Sequence, residues 1–185
     1  IQIKIIWAYT WYDPGKEADA AKTFQGNVYP ITLINQGADI IVQHTDTFAP
    51  CQVAQEMGVK AFGQASDQSQ FCPDSQLTAI VDDWDSYYVQ RAKAVEDGTW
   101  TSADAWWGLD NGMVKMAPYT NMDAKTAAEA EVIQQKLTTG EMHSFEGPIY
   151  NQAGELMVAE GEVADDGMLA GMMWYVKGIE GTIPK

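Results

Sequence analysis

The sequence predicts an α/β fold in which helices flank a parallel sheet, in a Rossmann- or flavodoxin-like arrangement. Two observations predict it. Between Ile3 and Gly98, apolar runs too short for helices alternate with helix-forming segments, and turn residues separate them. The 185 residues are 46% hydrophobic, which suffices for a sizeable core. Strands that alternate with helices pair in parallel through right-handed crossovers, so the loops that follow the strands meet at one edge of the sheet.

The stretch from Thr10 to Lys16 joins the first predicted strand, residues 3–9, to a helix that begins near Lys16. In open α/β sheets, ligands bind at the edge where such loops lie. Trp11 and Tyr12 would offer a stacking surface there to a flat, polar small molecule. The alternative is that both rings merely cover the end of the sheet.

The following elements repeat this unit, giving four β-loop-α units in all. Gly26-Asn27 and Pro30 stop the first helix, and a short helical piece then ends at Gly37. Further strands are predicted at residues 38–43, 60–63 and 77–81. Helices are predicted at residues 50–57, closed by Gly58, and from Asp82-Asp83 to Gly98, with an apolar face of Trp84, Tyr88, Ala92 and Val95.

Beyond Gly98 the pattern changes. The sequence predicts a strand at residues 113–117, a helix at 121–139 capped by Gly140, a β-hairpin within 145–158, and a turn with a short helix or strand at 165–176. We therefore expect three segments: an α/β half at 1–81, a crossover helix and strand at 82–118, and a helix, hairpin and tail at 119–185.

The charge of the chain argues against nucleic acid as a partner. Eleven Lys and Arg stand against 26 Asp and Glu, a formal net charge of −15. Phosphate backbones and anionic lipid surfaces would be repelled. No apolar run approaches the roughly 20 residues of a membrane-spanning helix, and no signal peptide opens the sequence, so we expect a soluble chain whose export signal, if any, lies outside it.

The two cysteines, Cys51 and Cys72, do not have the spacing of a metal site. With His44 and His143 as the other soft ligands, we expect neither a metal nor a cofactor. Both cysteines are expected in loops just after strands. Free thiols are the favoured interpretation, and a disulfide in an oxidising compartment is the alternative.

Polar and aromatic side chains follow four predicted strands in succession. If those strands are parallel and adjacent, their loops could hold an aromatic heterocycle between rings, while carboxylates and an amide bind its N–H groups. Asp82 has a second interpretation, as the N-cap of the helix after it. The predicted ligand-binding residues are Trp11, Tyr12, Thr45, Asp46, Gln64, Asp67, Asp82 and Trp84.

Catalysis is hard to build from this sequence. It has no nucleophile elbow, no P-loop and no dinucleotide-binding glycine motif after the first strand. His44, beside Asp46, is the one candidate general base for an enzyme on a flavodoxin-like fold, such as a nucleoside hydrolase. We predict that the chain is not an enzyme and keep this purine nucleoside-processing enzyme as the alternative.

At these loops the sequence resembles the basic membrane protein (BMP) family of substrate-binding proteins for ABC importers, which includes purine- and nucleoside-binding members. The resemblance spans nearly the whole chain. The matching stretches are WYDPGKEADAAK at 11–22, QGADII at 36–41, QHTD at 43–46, FGQASD at 62–67, LTAIVD at 77–82, GMVK at 112–115 and the ending WYVKG with IPK at 174–178 and 183–185.

The resemblance implies a lobe of a type I periplasmic binding protein, with crossover segments and a C-terminal hairpin. Such a receptor is periplasmic or lipid-anchored outside the cytoplasm, closes two lobes on a small ligand and presents it to a membrane permease. Trp11 takes the position of the ring that stacks on the base, and Asp67 that of an acid in the cleft. Asp82 stands where nucleoside-binding members carry a lysine, which favours a free purine base such as adenine.

Two departures from the family pattern accompany this resemblance. Family members run to roughly twice this length, so the chain looks like the second lobe and its partner would be the first lobe of the same protein. About nine residues, near 23–31, are extra. A third interpretation follows from the missing half: a lobe that folds but binds no purine by itself.

Overall fold

The computed structural model describes residues 1–21 and 33–184, and of residues 19–21 it describes the backbone alone. The predicted end of the first helix and the extra residues near 23–31 lie outside that description. The chain divides into two compact units, residues 1–7 with 139–185, and residues 8–138. Within the described ranges, no helix is both long and apolar enough to span a bilayer.

The larger unit is organised around a four-stranded sheet with the strand order β2-β3-β4-β5. The strands are β2 (Ile40–Val42), β3 (Lys60–Gly63), β4 (Gln76–Asp82) and β5 (Val114–Met116). β2, β3 and β4 run parallel, with Ile41 opposite Ala61 and Phe62 opposite Thr78. β5 closes the sheet antiparallel to β4. The predicted α/β class, with a mainly parallel sheet and flanking helices, is confirmed.

The first strand differs from its prediction. β1 covers only Ile3–Lys4, and it pairs in parallel with β8 (Ile179–Glu180) in a separate two-stranded sheet. The expectation that it lies in one sheet with the next three strands is therefore wrong. The backbone turns at Tyr9, which has a φ of 54°, so the apolar run cannot stay extended through residue 9.

The helices of the larger unit follow the local signals in the sequence. They are α1 (Pro14–Ala21), α2 (Ala49–Met57), α3 (Asp85–Glu96) and α4 (Ala124–Thr139), with a 3₁₀ turn at Ile34–Gln36. Gly58, at the end of α2, has a φ of 74°, the left-handed conformation that glycine adopts at little cost. One predicted unit is absent: residues 64–75, between β3 and β4, form turns and loops and no helix.

A disulfide joins Cys51 in α2 to Cys72 in the loop before β4, with 5.8 Å between their Cα atoms. Both side chains lie in the buried core of this unit, together with Ile41, Val53, Ala54 and Ala61. The favoured interpretation of two free thiols is therefore wrong. The sequence could not decide it, because the pairing depends on how the loop after β3 folds back onto α2.

The start of α3 also differs from expectation. The helix begins at Asp85, and the carboxylate of Asp83, not of Asp82, accepts the Asp85 N–H at 3.1 Å. Lys115 of β5 also donates to Asp83 and, with that N–H, holds the pKa of the Asp83 carboxyl below its usual range. The N-cap interpretation of Asp82 is therefore wrong. The predicted apolar face of α3 is exposed at Trp84, Tyr88 and Val95.

The smaller unit contains the predicted β-hairpin, formed by β6 (Ile149–Tyr150) and β7 (Leu156–Val158). The short helix α5 (Asp166–Ala170) follows, and Asp165 caps it by accepting the Met168 N–H at 2.7 Å. β8 was not predicted from the sequence.

Candidate functional site

Two turns of the larger unit meet. One precedes α1 and contains Trp11 and Tyr12 (the Trp11 turn), and the other follows β2 and contains Thr45, Asp46 and Thr47 (the Thr45–Thr47 turn). The Asp46 N–H donates to the Trp11 carbonyl oxygen at 2.7 Å. The rings of Trp11 and His44 lie edge to face, with centroids 5.6 Å apart. The indole of Trp11 remains 64% exposed. The structure therefore brings the predicted stacking residue beside the predicted polar residues of the next loop.

The turn before α1 is shaped by its own helix cap. Asp13 is the residue before the helix, and its carboxylate accepts the Lys16 N–H at 3.1 Å. The Lys16 ammonium lies 3.6 Å from the same carboxylate. The Asp13 side chain is thus occupied by its own backbone, while Trp11 and Tyr12 precede it in the exposed part of the turn.

The loop after β3 is held from below by Gln76, the first residue of β4, which is 1% exposed. The Gln76 amide accepts the Gln68 N–H at 2.9 Å and donates to Asp67 Oδ1 at 2.7 Å. The N–H of Ser69 also donates to that oxygen, at 2.9 Å. The Ser69 N–H and the Gln76 amide together lower the pKa of the Asp67 carboxyl. Asp67 therefore stays a hydrogen-bond acceptor at neutral pH.

The loop after β3 and the loop after β2 enclose a partly open pocket of about 220 Å³. Three of the predicted ligand-binding residues line it, namely Thr45, Asp46 and Gln64. The other lining residues are Thr47, Phe48, Ala65, Ser66, Gln68 and Phe71. The pocket thus combines one carboxylate, several hydroxyls and amides, and an aromatic wall.

The remaining predicted residues do not line this pocket. The Trp11 carbonyl oxygen accepts the N–H of the lining residue Asp46, and Tyr12 is 70% exposed in the same turn. Asp67 belongs to the loop after β3, and the Asp82 N–H donates to the carbonyl oxygen of the lining residue Ala65 at 3.0 Å. Trp84 packs instead against Tyr87 and Tyr88 at the start of α3.

The aromatic wall of the pocket was not predicted from the sequence. The rings of Phe48 and Phe71 stack with centroids 3.8 Å apart and planes inclined by 6°. Phe48 precedes α2 and Phe71 precedes Cys72, so the two segments joined by the Cys51–Cys72 disulfide also supply this pair. The pairing of the cysteines was the signal that could have found it.

The groups around this pocket are suited to hydrogen bonding and to stacking. Carboxylate, amide and hydroxyl groups can bind the N–H groups and ring nitrogen atoms of a heterocycle, and exposed rings can stack on its face. Among residues 1–21 and 33–184, no group of three or more His, Cys, Asp or Glu side chains could hold a metal ion.

Comparison with known proteins gives a match to a family and to individual proteins. A family model described as "ABC transporter substrate-binding protein PnrA-like" (Bmp) matches residues 1–152. A protein named as a purine-binding protein of Brucella abortus (strain 2308) is 51% identical over 184 residues, covering 100% of this chain and 50% of its own length. A putative ABC transporter glucose-binding protein of Haloferax volcanii is 24% identical over 98% of this chain and 42% of its own.

Two solved structures share the fold. An ABC transporter solute-binding protein of Conexibacter woesei superposes with a TM-score of 0.52 at 20% identity, over 72% of this chain and 43% of its own. A transcriptional activator of the comK gene from Bacillus halodurans gives a TM-score of 0.53 at 18% identity, over 60% and 41%. The chain spans about half the length of the curated relatives it matches.

Proposed function

The chain belongs to the Bmp family of PnrA-like ABC transporter substrate-binding proteins, and from this premise we propose that it binds a purine base, such as adenine, for import. The relative that is named a purine-binding protein is 51% identical to it over the whole chain. We infer that this chain also binds a purine, because the residues around its pocket suit such a ligand.

The observation that carries the proposal is the meeting of the Trp11 turn with the pocket. The Asp46 N–H donates to the Trp11 carbonyl oxygen at 2.7 Å, and both residues are exposed, so the indole and the carboxylate belong to turns that meet. A purine stacked on Trp11 could donate an N–H to Asp46, while the Gln64 amide both donates and accepts.

The rest of the cleft is part of the proposal. The chain spans half of its purine-binding relative, and we infer that the first lobe of the complete protein closes over the Trp11 turn and the pocket. The closed protein would then present the purine to an ABC permease in the membrane. We place it in the periplasm, or tethered outside the cytoplasm by a lipid, where an oxidising environment would preserve the Cys51–Cys72 disulfide.

The comparisons lend no support to the enzyme alternative, since the family and both curated relatives are named for binding or transport. That alternative required His44 as the general base. The His44 ring lies edge to face with Trp11, where it supports the turn.

Calorimetric titration with adenine tests the proposal, with Trp11→Ala as the decisive variant. Stacking on an aromatic side chain is worth about 1–3 kcal/mol per base, so the variant should bind adenine roughly ten- to hundred-fold more weakly. Trp100→Ala, which removes another half-exposed indole after α3, is the matched control and should leave the affinity unchanged. Equal affinities in the three proteins would refute the stacking role, and tighter binding of glucose than of adenine would refute the ligand class.

A further inference from the structure

Glu17 is buried, with 2% of its surface exposed. Among the residues whose burial the structure describes, no other acidic or basic side chain is buried. It lies in α1, four residues after Asp13. Taking a carboxylate out of water is costly unless hydrogen bonds replace the lost solvation. Its surroundings therefore show what the carboxylate does.

Three donors converge on the Glu17 carboxylate from two different turns. The Asp13 N–H donates to Oε1 at 2.9 Å, which ties the carboxylate to the turn that carries Trp11 and Tyr12. The Thr45 hydroxyl donates to Oε2 at 2.9 Å, and the Thr47 hydroxyl donates to the same oxygen. Both threonines belong to the turn after β2.

The network continues into the next helix. Thr47 Oγ1, while donating to Glu17, accepts the Ala49 N–H at 3.2 Å at the start of α2. The two turns also meet directly through the Asp46 N–H and the Trp11 carbonyl oxygen. One buried carboxylate thus links α1, the Trp11 turn, the Thr45–Thr47 turn and the start of α2.

We propose that Glu17 is a positioning residue, which holds the Trp11 turn against the Thr45–Thr47 turn. It does not touch the ligand. A carboxylate suits this place because its two oxygens accept hydrogen bonds, and all three groups that face them donate. The effect of Glu17 on ligand affinity rests on the proposed purine function, whereas its effect on the two turns does not.

The variant Glu17→Gln tests the proposal because it keeps the shape and changes the hydrogen bonding. The amide NH₂ must face either the Asp13 N–H or the threonine hydroxyls, so one connection is lost or reversed. We expect faster amide hydrogen exchange at Asp13 and Asp46, measured by NMR without ligand, and adenine affinity about ten-fold weaker. Amides of the sheet, such as Ala61, which donates to the Ser75 carbonyl oxygen, should exchange as before.

Two further comparisons keep the test decisive. Glu96→Gln removes the same charge from an exposed place at the end of α3 and should change neither exchange nor affinity. Thr47→Val removes one of the three donors and should speed exchange as Glu17→Gln does, whereas Thr47→Ser keeps the hydroxyl and should not. Because Thr47 also lines the pocket, amide exchange alone is compared in this pair. This second pair serves if Glu17→Gln does not fold.

Each result has one meaning. Unchanged exchange at Asp13 and Asp46 in Glu17→Gln, or in Thr47→Val if Glu17→Gln does not fold, would overturn the positioning role. Faster exchange with unchanged adenine affinity would overturn its link to binding. If the parent protein binds no adenine, the proposed function fails, while the exchange data still decide whether Glu17 holds the turns.

Discussion

Removal of the Cys51–Cys72 disulfide should destabilise the larger unit by about 3 kcal/mol. The bridge closes a loop with a sequence separation of 21 residues. Cross-linking a loop of about this length removes chain entropy from the unfolded state that corresponds to about 3 kcal/mol at 25 °C. Both sulfur atoms lie in the core, where Cys51 and Cys72 are 1% and 0% exposed, so the double variant Cys51→Ala/Cys72→Ala also loses some packing.

Urea unfolding followed by circular dichroism measures this loss. With an m-value of roughly 2 kcal/mol per M, the midpoint of the double variant should fall by about 1.5 M. Dithiothreitol should produce a similar fall in the parent and none in the variant, which separates the disulfide from other effects of the reductant. Thiol titration of the unfolded, non-reduced parent should find no free thiol; two thiols per chain, or a midpoint indifferent to the reductant, would refute the reasoning.

Three further predictions concern single residues. Gly63→Ala should lower the free energy of unfolding by about 1–3 kcal/mol, because the new Cβ would come within 2.7 Å of the Ala79 Cβ. Gly108→Ala, where the nearest atom to the new Cβ lies at 3.6 Å, should be neutral. Equal melting temperatures for the two variants would contradict the close approach of β3 to β4. The lowered pKa of Asp67 means that its contribution to stability is present above the ordinary value near 3.8 and is lost as the pH falls through the lower folded-state pKa, so Asp67→Asn should flatten the acid limb of a stability–pH curve, and parallel curves would disprove this. Asp123→Ala should fray the start of α4, because the Asp123 carboxylate accepts the Lys125 and Thr126 N–H groups at 3.0 and 2.9 Å. We expect faster amide exchange confined to the first turn of that helix, and unchanged exchange there would contradict the capping role of Asp123.

The sequence predicted best those elements that local backbone chemistry decides. Gly58 ends α2 and Gly140 follows α4, each with a positive φ, because glycine is the residue that adopts this conformation at least cost. The strands β2, β3 and β4 likewise coincide with the short apolar runs that predict them. These signals act within one turn or strand, so a linear pattern contains them.

The sequence predicted worst what distant segments decide. β1 pairs with β8, which lies more than 170 residues along the chain, and two residues give no recognisable pattern. The disulfide and the Phe48–Phe71 stack depend on the fold of the loop after β3.

The candidate site was predicted in outline. Thr45, Asp46 and Gln64 do line one pocket, since parallel strands bring their following loops together. The buried polar residues that hold those loops, Glu17 and Gln76, were not predicted, because periodicity assigns polar residues to the surface. The ligand role of all eight predicted residues stays a prediction.

The most direct test of purine binding is a tryptophan-fluorescence titration with adenine, run on the 185-residue chain and on the complete product of its gene. We expect a saturable change in both, carried by Trp11 and therefore absent from Trp11→Ala. A response from the complete product alone would keep the purine assignment and show that the first lobe supplies the missing part of the site. A lack of response from both, with the proteins folded, would contradict the purine assignment and leave the family and the fold.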